Sequence, residues 1–290
     1  QPAAQRSLGI SGDGLVLASR ETQNAPIVLR RRDDIRAPWE SSLGYLSDPF
    51  TDTDPHFDAD GRTLFACTSS EGICSVFRRS SPEGGFDSTL DPGEATFDFG
   101  PFFHEKHAAI DRSFVPTPDL VHLAFASSRS HDSTTSNDGG DGTGVTDLWM
   151  ARAIDPADLS LGYTDLHHLD VASAAPNLPA VARPKWPEEA PGWLADDGRT
   201  IVFHSGRSGD FDLYVTSGDP ETGSFGEAVR IDALSEEGFF EESFTMPSLA
   251  TLALSCGRGE AYFRRFELNQ FGGSASSVQR VTVCVGAPCD

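Results

Sequence analysis

Short apolar runs separated by turn residues recur along this chain, and the clearest instance lies at residues 191–217. An Asp197-Gly198 turn precedes an apolar run at 199–205, and a glycine-containing turn leads from there into a second run at 212–215. Short β-rich runs joined through Asp-Gly and Gly turns are typical of consecutive antiparallel hairpins. The pattern therefore predicts successive hairpins of one antiparallel sheet.

Four further copies of this pattern align with the first. The copy at 54–78 keeps the Asp-Gly-Arg-Thr turn, the copy at 118–150 is split by a long insertion, and the copies at 12–29 and 251–263 are weaker. The central strands of the five units begin near residues 15, 63, 120, 200 and 251. Spacings of about 50 residues suit four short strands with their turns, which form one blade of a β-propeller.

The central runs are apolar at consecutive positions, as in Leu15-Val16-Leu17. Strands that are sandwiched between neighbouring sheets need this pattern, whereas a half-exposed strand alternates. We therefore predict an all-β fold, a five-bladed β-propeller of four-stranded antiparallel blades that forms a single domain. The expected blades are about 1–50, 51–105, 108–180, 188–237 and 238–290 of the 290 residues.

Two copies carry a more specific motif. Residues 191–217 combine Pro-x-aromatic, Asp-Gly-Arg-Thr, an apolar run ending in Phe-x-Ser-x-Arg and a later Asp-Leu-Tyr, and residues 54–78 match most of it. This motif resembles the TolB-type, WD-like β-propeller repeat of bacterial extracytoplasmic proteins, and the similarity covers most of the chain in register. Members of that family include binding scaffolds and hydrolase-associated domains, so the resemblance implies shape more than activity.

The chain is strongly acidic, with a formal net charge of −22. Such a charge argues against nucleic acid and anionic membranes as partners, because both present phosphates. It permits cationic ligands, metal ions or neutral sugars. No apolar run approaches the roughly 20 residues that span a bilayer, and we expect a monomer.

Five cysteines bear on the compartment. Cys67 and Cys74 flank one predicted hairpin turn, where a disulfide is sterically reasonable. Cys284 could pair with Cys289, or Cys256 could pair with one of them. Because disulfides persist in oxidising compartments, and because the chain starts without an initiator Met, we interpret it as a trimmed mature chain that is periplasmic or extracellular.

In a propeller the innermost strand of each blade lines a central channel, and here it precedes the Asp-Gly turn. Aligning the copies on that turn places acidic residues at one level of four blades. These candidate ligand-binding residues of the channel mouth are Asp52, Asp54, Asp111, Glu188, Glu189, Glu241 and Glu242. Crowded carboxylates repel one another unless a cation, a proton or water separates them. We therefore predict a Ca²⁺ ion or a cationic ligand in the mouth, the alternative being that several carboxylates face solvent at the rim. The predicted metal ligands are Asp54, Asp111, Glu189 and Glu242.

Two other segments are candidate metal sites. The insertion at 130–144 carries carboxylates between glycines, which can wrap Ca²⁺, although its spacing is not that of an EF-hand and a solvated loop is the alternative. His104 and His107 are spaced as in some zinc sites, yet on a strand they face opposite sides. The candidates for a further zinc ligand are His56, His122, His167 and His168.

These features favour an exported scaffold that binds a small molecule, a metal ion or a protein. The alternative is a hydrolase of glycosides or esters. Glycosidases use carboxylates about 5–9.5 Å apart, and Asp52 or Asp54 could act with Glu189 and Glu242. No Ser-His-Asp nucleophile elbow is visible, and the sequence leaves open whether the protein is an enzyme.

Overall fold

The structure is a computed structural model that describes residues 7–20, 27–40, 44–46, 55–67, 74–81, 96–97, 111–127, 147–171, 189–208, 211–255, 257–267 and 277–284. Within these ranges most of the chain is β-strand, and the strands form five sheets. The all-β class predicted from the repeat pattern is confirmed.

The first three sheets are antiparallel meanders of four strands that follow one another in chain order. The first contains β1 (Ser7–Ile10), β2 (Val16–Arg20), β3 (Ile27–Arg31) and β4 (Gly44–Leu46). The second contains β5 (His56–Phe57), β6 (Thr63–Cys67), β7 (Cys74–Arg78) and β8 (Thr96–Phe97). The third contains β9 (Asp111–Pro116), β10 (His122–Ser127), β11 (Asp147–Ala153) and β12 (Tyr163–His168), with a 3₁₀ turn at Leu159–Leu161.

The last two sheets depart from this plan. The fourth contains β14 (Glu189–Leu194), β15 (Thr200–Ser205), β16 (Asp212–Asp219), β17 (Ser224–Phe225) and β18 (Val229–Arg230). The strand β13 (Asp170–Val171) joins it by pairing in parallel with β17. The fifth sheet contains β19 (Phe239–Thr245), β20 (Arg258–Glu267) and β21 (Ser277–Cys284), with the helix α1 (Leu249–Leu254) between β19 and β20.

Apolar clusters lie between the sheets, and each cluster joins two of them. The strands β2 and β10 are buried at every position, which confirms the interpretation of the uninterrupted apolar runs. In each cluster, residues from two neighbouring sheets lie together. Examples are Leu29 with Phe57, Phe65 with Phe125, Met150 with Phe203, Leu213 with Phe263, and Leu17 with Tyr262. The last pair joins the first sheet to the fifth, so the buried surface runs from sheet to sheet and returns to its start.

The first strands of the sheets also contact one another in this cyclic order: β1 with β5, β5 with β9, β9 with β14, β14 with β19, and β19 with β1. Two glycines allow this close approach. A Cβ on Gly9 would lie 1.8 Å from the carbonyl oxygen of Pro55, and one on Gly192 would lie 2.9 Å from the backbone nitrogen of Phe244. Because both obstacles are backbone atoms, no rotamer change relieves them.

The predicted turns after the first strands are confirmed in four sheets. The amide of Gly14 donates to Ser11 at 2.8 Å, and that of Gly198 donates to Ala195 at 2.9 Å. Gly14, Gly61 and Gly198 have φ values of 72°, 68° and 70°, a region that glycine enters without strain. In the third sheet Leu120 occupies this position at φ 64°; its side chain is buried among Phe125 and its neighbours.

The seam between the first and the fifth sheet is polar as well as apolar. Ile10 donates its amide to Thr245 Oγ1 at 3.1 Å. The buried Arg32 binds Glu260 at 2.8 Å and lies 4.2 Å from the ring centroid of Trp39. The hydroxyl of Tyr262 donates to Glu260 and accepts from Trp39 Nε1; burial raises its pKa to about 12. The two ends of the chain are therefore joined through one network.

The central strand predicted near residue 251 is wrong. Residues 249–254 form α1, and the central strand of the fifth sheet is β20. The run is rich in Leu and Ala, which favour helix over strand. Ser248 caps it by accepting the amide of Thr251, while Asp196 of the fourth sheet accepts the amides of Leu249 and Ala250 at 3.0 Å.

Cys67 and Cys74 lie directly opposite each other in the β6–β7 pair. The amide of Arg79 donates to the carbonyl of Arg62 at 3.0 Å, which makes Arg62 and Arg79 a hydrogen-bonded pair. Alternation along the ladder then makes Cys67 and Cys74 a non-hydrogen-bonded pair, in which Cα atoms are about 4.5 Å apart. That spacing falls within the range of disulfides. Cys284 is exposed and free, so neither pairing considered for it is present.

We expect Cys67 and Cys74 to form a disulfide in protein prepared without reductant. Peptide mapping by mass spectrometry should find the two cysteines in one linked fragment that separates on reduction. Cys284 serves as the internal control, because it is exposed and should be alkylated without reduction. Alkylation of Cys67 and Cys74 in the unreduced protein would exclude the bond.

We expect Gly9→Ala to lower the free energy of unfolding by about 1–3 kcal/mol, because the new methyl group forces the first strands apart. Gly226→Ala is the matched control, since a Cβ there would meet only Ser217 O, at 3.4 Å. It should change stability by no more than about 0.5 kcal/mol. Chemical denaturation measures both, and equal effects would contradict the role given to Gly9.

Candidate functional site

The acidic residues predicted at the channel mouth lie on first strands wherever the structure describes them. Asp111 begins β9, Glu189 begins β14, and Glu241 and Glu242 lie in the first half of β19. These positions are at the ends of the first strands away from the turns, and we call this the acidic end. Asp52, Asp54 and Glu188 lie outside the described residues.

Glu189 is held by an arginine from its own sheet. It forms an ion pair with Arg207 and accepts a hydrogen bond from Ser205 Oγ at 2.9 Å. Arg207 also lies 5.2 and 5.1 Å from the ring centroids of Phe203 and Tyr214. The guanidinium therefore sits between a carboxylate and two aromatic faces, an arrangement that fixes Glu189 in place.

Glu241 is fully buried and accepts from Arg265 Nε at 2.8 Å. Arg265 is shared, because it also binds Glu236 at 2.6 Å and the carbonyl of Leu234 at 2.9 Å. Burial raises the pKa of Glu241 to about 7, Arg265 lowers it, and the nearby Asp212 raises it. The neighbouring Glu242 is paired with Arg264.

Asp212 is a further acid of this region that the motif search did not select. Its side chain is buried, accepts from Ser208 Oγ, and binds Arg230 at 2.9 Å. The sequence did carry a signal, since Asp212 is the Asp of the Asp-Leu-Tyr element in the repeat.

At the acidic end, the described residues Glu189, Asp212, Glu241 and Glu242 are thus each paired with an arginine. Within the described ranges, no three His, Cys, Asp or Glu side chains are grouped so that they could hold a metal ion. A paired carboxylate is a poor general base, because the arginine stabilises its ionised form. The arginines therefore hold these carboxylates of the acidic end in fixed positions.

Of the described histidines that are zinc candidates, His122, His167 and His168 lie in the third sheet and His56 lies in the second. His122 binds Glu221 of the fourth sheet at 3.1 Å, and His168 lies 3.8 Å from Asp147 within the third sheet. His104, His107 and the insertion at 130–144 lie outside the described residues.

His56 lines a narrow cavity that the ends of all five first strands enclose. The lining residues are Ile10, Gly12, His56, Phe57, Val115, Pro116, Pro118, Gly192, Trp193, Leu194, Thr245, Met246 and Ser248. The cavity volume is about 20 Å³, the room that one water-sized group needs. His56 is 8% exposed, and its Nε2 has no hydrogen-bond partner among the described residues. Burial lowers its pKa to about 4, so the imidazole is uncharged at neutral pH.

No protein-family model matches the chain, and no curated protein matches it. Solved structures do match it over nearly its whole length. A TolB-type protein from Agrobacterium tumefaciens is 15% identical with a TM-score of 0.48, and the match covers 97% of this chain and 77% of that one. A gluconolactonase from Xanthomonas campestris is 11% identical with a TM-score of 0.47, covering 99% and 78%.

A third solved structure is the β-propeller domain of Cps50 from Myceliophteria thermophila, which is 11% identical with a TM-score of 0.42, covering 96% and 83%. At identities of 11–15% and TM-scores of 0.42–0.48, these matches carry no conclusion about the function of this chain. Among the described residues, no helix has the length and apolar character to cross a bilayer.

We expect the stability contribution of Glu241 to fall as pH rises. Its pKa is about 7 in the folded protein against an ordinary value of 4.5, so between these values the folded state binds more protons than the unfolded state. The difference in unfolding free energy, Glu241→Gln minus wild type, should therefore increase by on the order of 1–3 kcal/mol from about pH 5 to about pH 8.

Urea denaturation at the two pH values measures this difference. Glu236→Gln is the matched control, because it removes the exposed partner of the same Arg265 and should show no such increase. A pH-independent difference for Glu241→Gln would contradict the raised pKa.

Proposed function

We propose that this chain is a single-domain, five-bladed β-propeller that works outside the cytoplasm as a binding scaffold. Cyclic contact among β1, β5, β9, β14 and β19 supports the blade count, as do the apolar clusters between successive sheets. In this arrangement every blade buries both faces against its neighbours, which a four-stranded sheet cannot do alone.

We place the ligand site at the acidic end, and the position of three acids on consecutive first strands carries this proposal. Asp111, Glu189 and Glu241 lie on β9, β14 and β19, and these strands contact one another. Glu189 and Glu241 are paired with arginines, so the negative charge that attracts a cation would come from Asp111 and the predicted ligand Asp54 beside them. The expected ligand is therefore cationic, and Ca²⁺ is the metal whose preference for oxygen donors suits it.

Binding is favoured over hydrolysis by the state of the described carboxylates. Glycoside hydrolysis needs one carboxyl group that gives a proton and one free carboxylate. Glu189 and Glu242 are instead engaged by Arg207 and Arg264, and Glu241 is fully buried. Under this proposal Asp54 and Asp111 supply oxygen ligands to the cation.

We expect Ca²⁺ to raise the melting temperature, because an ion that binds only the folded state stabilises it by mass action. Asp54→Asn and Asp111→Asn should each reduce this shift, since each removes an anionic ligand. Asp165→Asn is the control, because Asp165 is exposed on β12 in the third sheet and should leave the shift unchanged. Thermal scans with Ca²⁺, with Mg²⁺ and without either ion measure the shift in melting temperature.

A melting temperature that does not respond to Ca²⁺ would exclude Ca²⁺ as the ligand of the acidic end. The same variants test the hydrolase alternative in a panel of glycosides, esters and lactones. Turnover that is lost in Asp54→Asn while the melting temperature is retained would replace the scaffold proposal with an enzyme.

A further inference from the structure

Within the described ranges, the fifth sheet has three strands, whereas each of the other sheets has four or more. Its outermost strand, β21, is eight residues long, and no described strand pairs with its outer side. In an antiparallel pair, alternate residues direct their backbone N–H and C=O groups away from the partner strand, so about half of the residues of β21 present these groups outward. We call this row of unpaired backbone groups the β21 edge.

The β21 edge lacks the features that usually protect an edge strand. Natural edge strands are short, or carry charges, proline or a bulge. The outer strands β4, β8 and β18 are two or three residues long. By contrast, β21 pairs with β20 in a register that is continuous over all eight of its residues, and it has one charged residue and no proline. Such an edge can accept another extended strand along its whole length.

The strand is held on both faces, so the edge is preformed. Val278 packs against the cluster between the first and fifth sheets, and Val281 and Val283 pack against the cluster between the fourth and fifth sheets. β-Branched residues of this kind suit a strand with packed faces. A segment that pairs with β21 therefore meets a strand whose conformation is already fixed, which lowers the entropic cost of binding.

The segments of the chain nearest in sequence are too short to cover this edge. In the other sheets the outermost strand leads into the first strand of the next sheet, so the corresponding segment here precedes β1. Residues 231–238 make the crossing from β18 to β19, and residues 1–6 are fewer than these. Residues 285–290 would first have to turn back, as residues 220–223 do between β16 and β17, which leaves too few to cover β21.

The fifth sheet is locally neutral although the chain is strongly acidic. The one charged residue of β21 is Arg280, whose side chain is 68% exposed and lies 3.5 Å from Glu260. Glu260 also binds Arg32, and a guanidinium carries several N–H donors. Arg280 can therefore bind a further carboxylate. The strands of the sheet carry equal numbers of arginine and glutamate, namely Arg258, Arg264, Arg265 and Arg280 with Glu241, Glu242, Glu260 and Glu267.

A second copy of this chain does not suit the β21 edge. Arg280 lies near the middle of the strand, so two-fold pairing of β21 with itself would place the two Arg280 side chains directly or diagonally opposite each other. Like charges across a strand pair are destabilising, and each copy has a net charge of −22. The charge pattern favours a different polypeptide that brings a carboxylate.

We propose that the β21 edge binds an extended segment of a partner polypeptide, which adds a fourth strand to the fifth sheet and places a carboxylate opposite Arg280. In this mode of recognition, backbone hydrogen bonds supply affinity and alternate side chains supply specificity. Thr282 is exposed on the same face as Arg280 and suits a threonine or a valine opposite it. The edge is separate from the acidic end, so it does not depend on the Ca²⁺ proposal.

A fluorescein-labelled peptide, Thr-Val-Thr-Glu-Thr-Val-Thr, tests the proposal by fluorescence anisotropy. We expect saturable binding with a Kd on the order of 0.1 mM, as suits a short flexible segment. Replacing its Glu by Lys should weaken binding about threefold. A version methylated at every backbone nitrogen keeps the side chains but has no N–H donors, and it should not bind.

Arg280→Glu should reverse the preference, so that the Lys peptide binds more tightly than the Glu peptide. Arg258→Glu is the matched control, because Arg258 is exposed on β20 of the same sheet and the change in net charge is identical. This control should keep the preference of the wild type for the Glu peptide. Reversal in both variants would overturn the proposal, because the effect would then be that of overall charge.

Amide hydrogen exchange, resolved by residue with NMR, locates the bound peptide. Alternate amides of β21 should exchange rapidly in the free protein and be protected about tenfold or more at saturation. Protection of every β21 amide in the free monomer would mean that a segment of the chain itself covers the edge. A dimer in sedimentation velocity that the peptide dissociates would mean that a second copy covers it. Either result, or the absence of saturable binding, would overturn the proposal.

Discussion

The close approach of the first strands is the constraint on which the other features depend. Gly9 and Gly192 lie where a neighbouring backbone leaves no room for a Cβ. Because these strands contact one another in cyclic order, each sheet packs against two neighbours, and central strands such as β2 and β10 are covered on both faces. The uninterrupted apolar runs of β2 and β10 follow from that geometry.

The acidic composition makes the placement of arginines a second determinant. Arg32, Arg207 and Arg265 are directed inward, and each binds a carboxylate at a fixed position. Removing charges from water is costly, and a buried pair restores only part of that cost. Such pairs therefore contribute more to fixing the positions of their carboxylates than to overall stability, and of the three the Arg32–Glu260 pair joins two sheets. They also leave fewer cations at the surface of a chain whose net charge is −22.

Much of the fold could be predicted from the sequence because the signals are local. The Asp-Gly turns at Gly61 and Gly198 mark the chain reversals, and the runs beside them have the composition of buried strands.

The fifth repeat was misassigned because residues 249–254 are apolar without being β-branched, and the capping contact from Asp196 that favours the helix comes from another sheet. Alignment on the turns brought Asp111, Glu189 and Glu241 to first strands, but the arginine partners of Glu189 and Glu241 depend on side-chain directions that periodicity does not encode. The sequence offers His56 only as a candidate zinc ligand, because the cavity that it lines is formed by residues of all five first strands, which no local pattern encodes.

The network of Arg32, Trp39, Glu260 and Tyr262 has a consequence for how this molecule is made. Its members are 228 and 223 residues apart in sequence, so during synthesis the segment at 32–39 waits for the segment at 260–262 before its buried guanidinium finds a carboxylate. Contacts of such long sequence separation form late and slow the overall process. A nascent chain that stops short of β20 would therefore leave its opening sheet with an uncovered flank, and truncated products should be the ones that aggregate or are degraded.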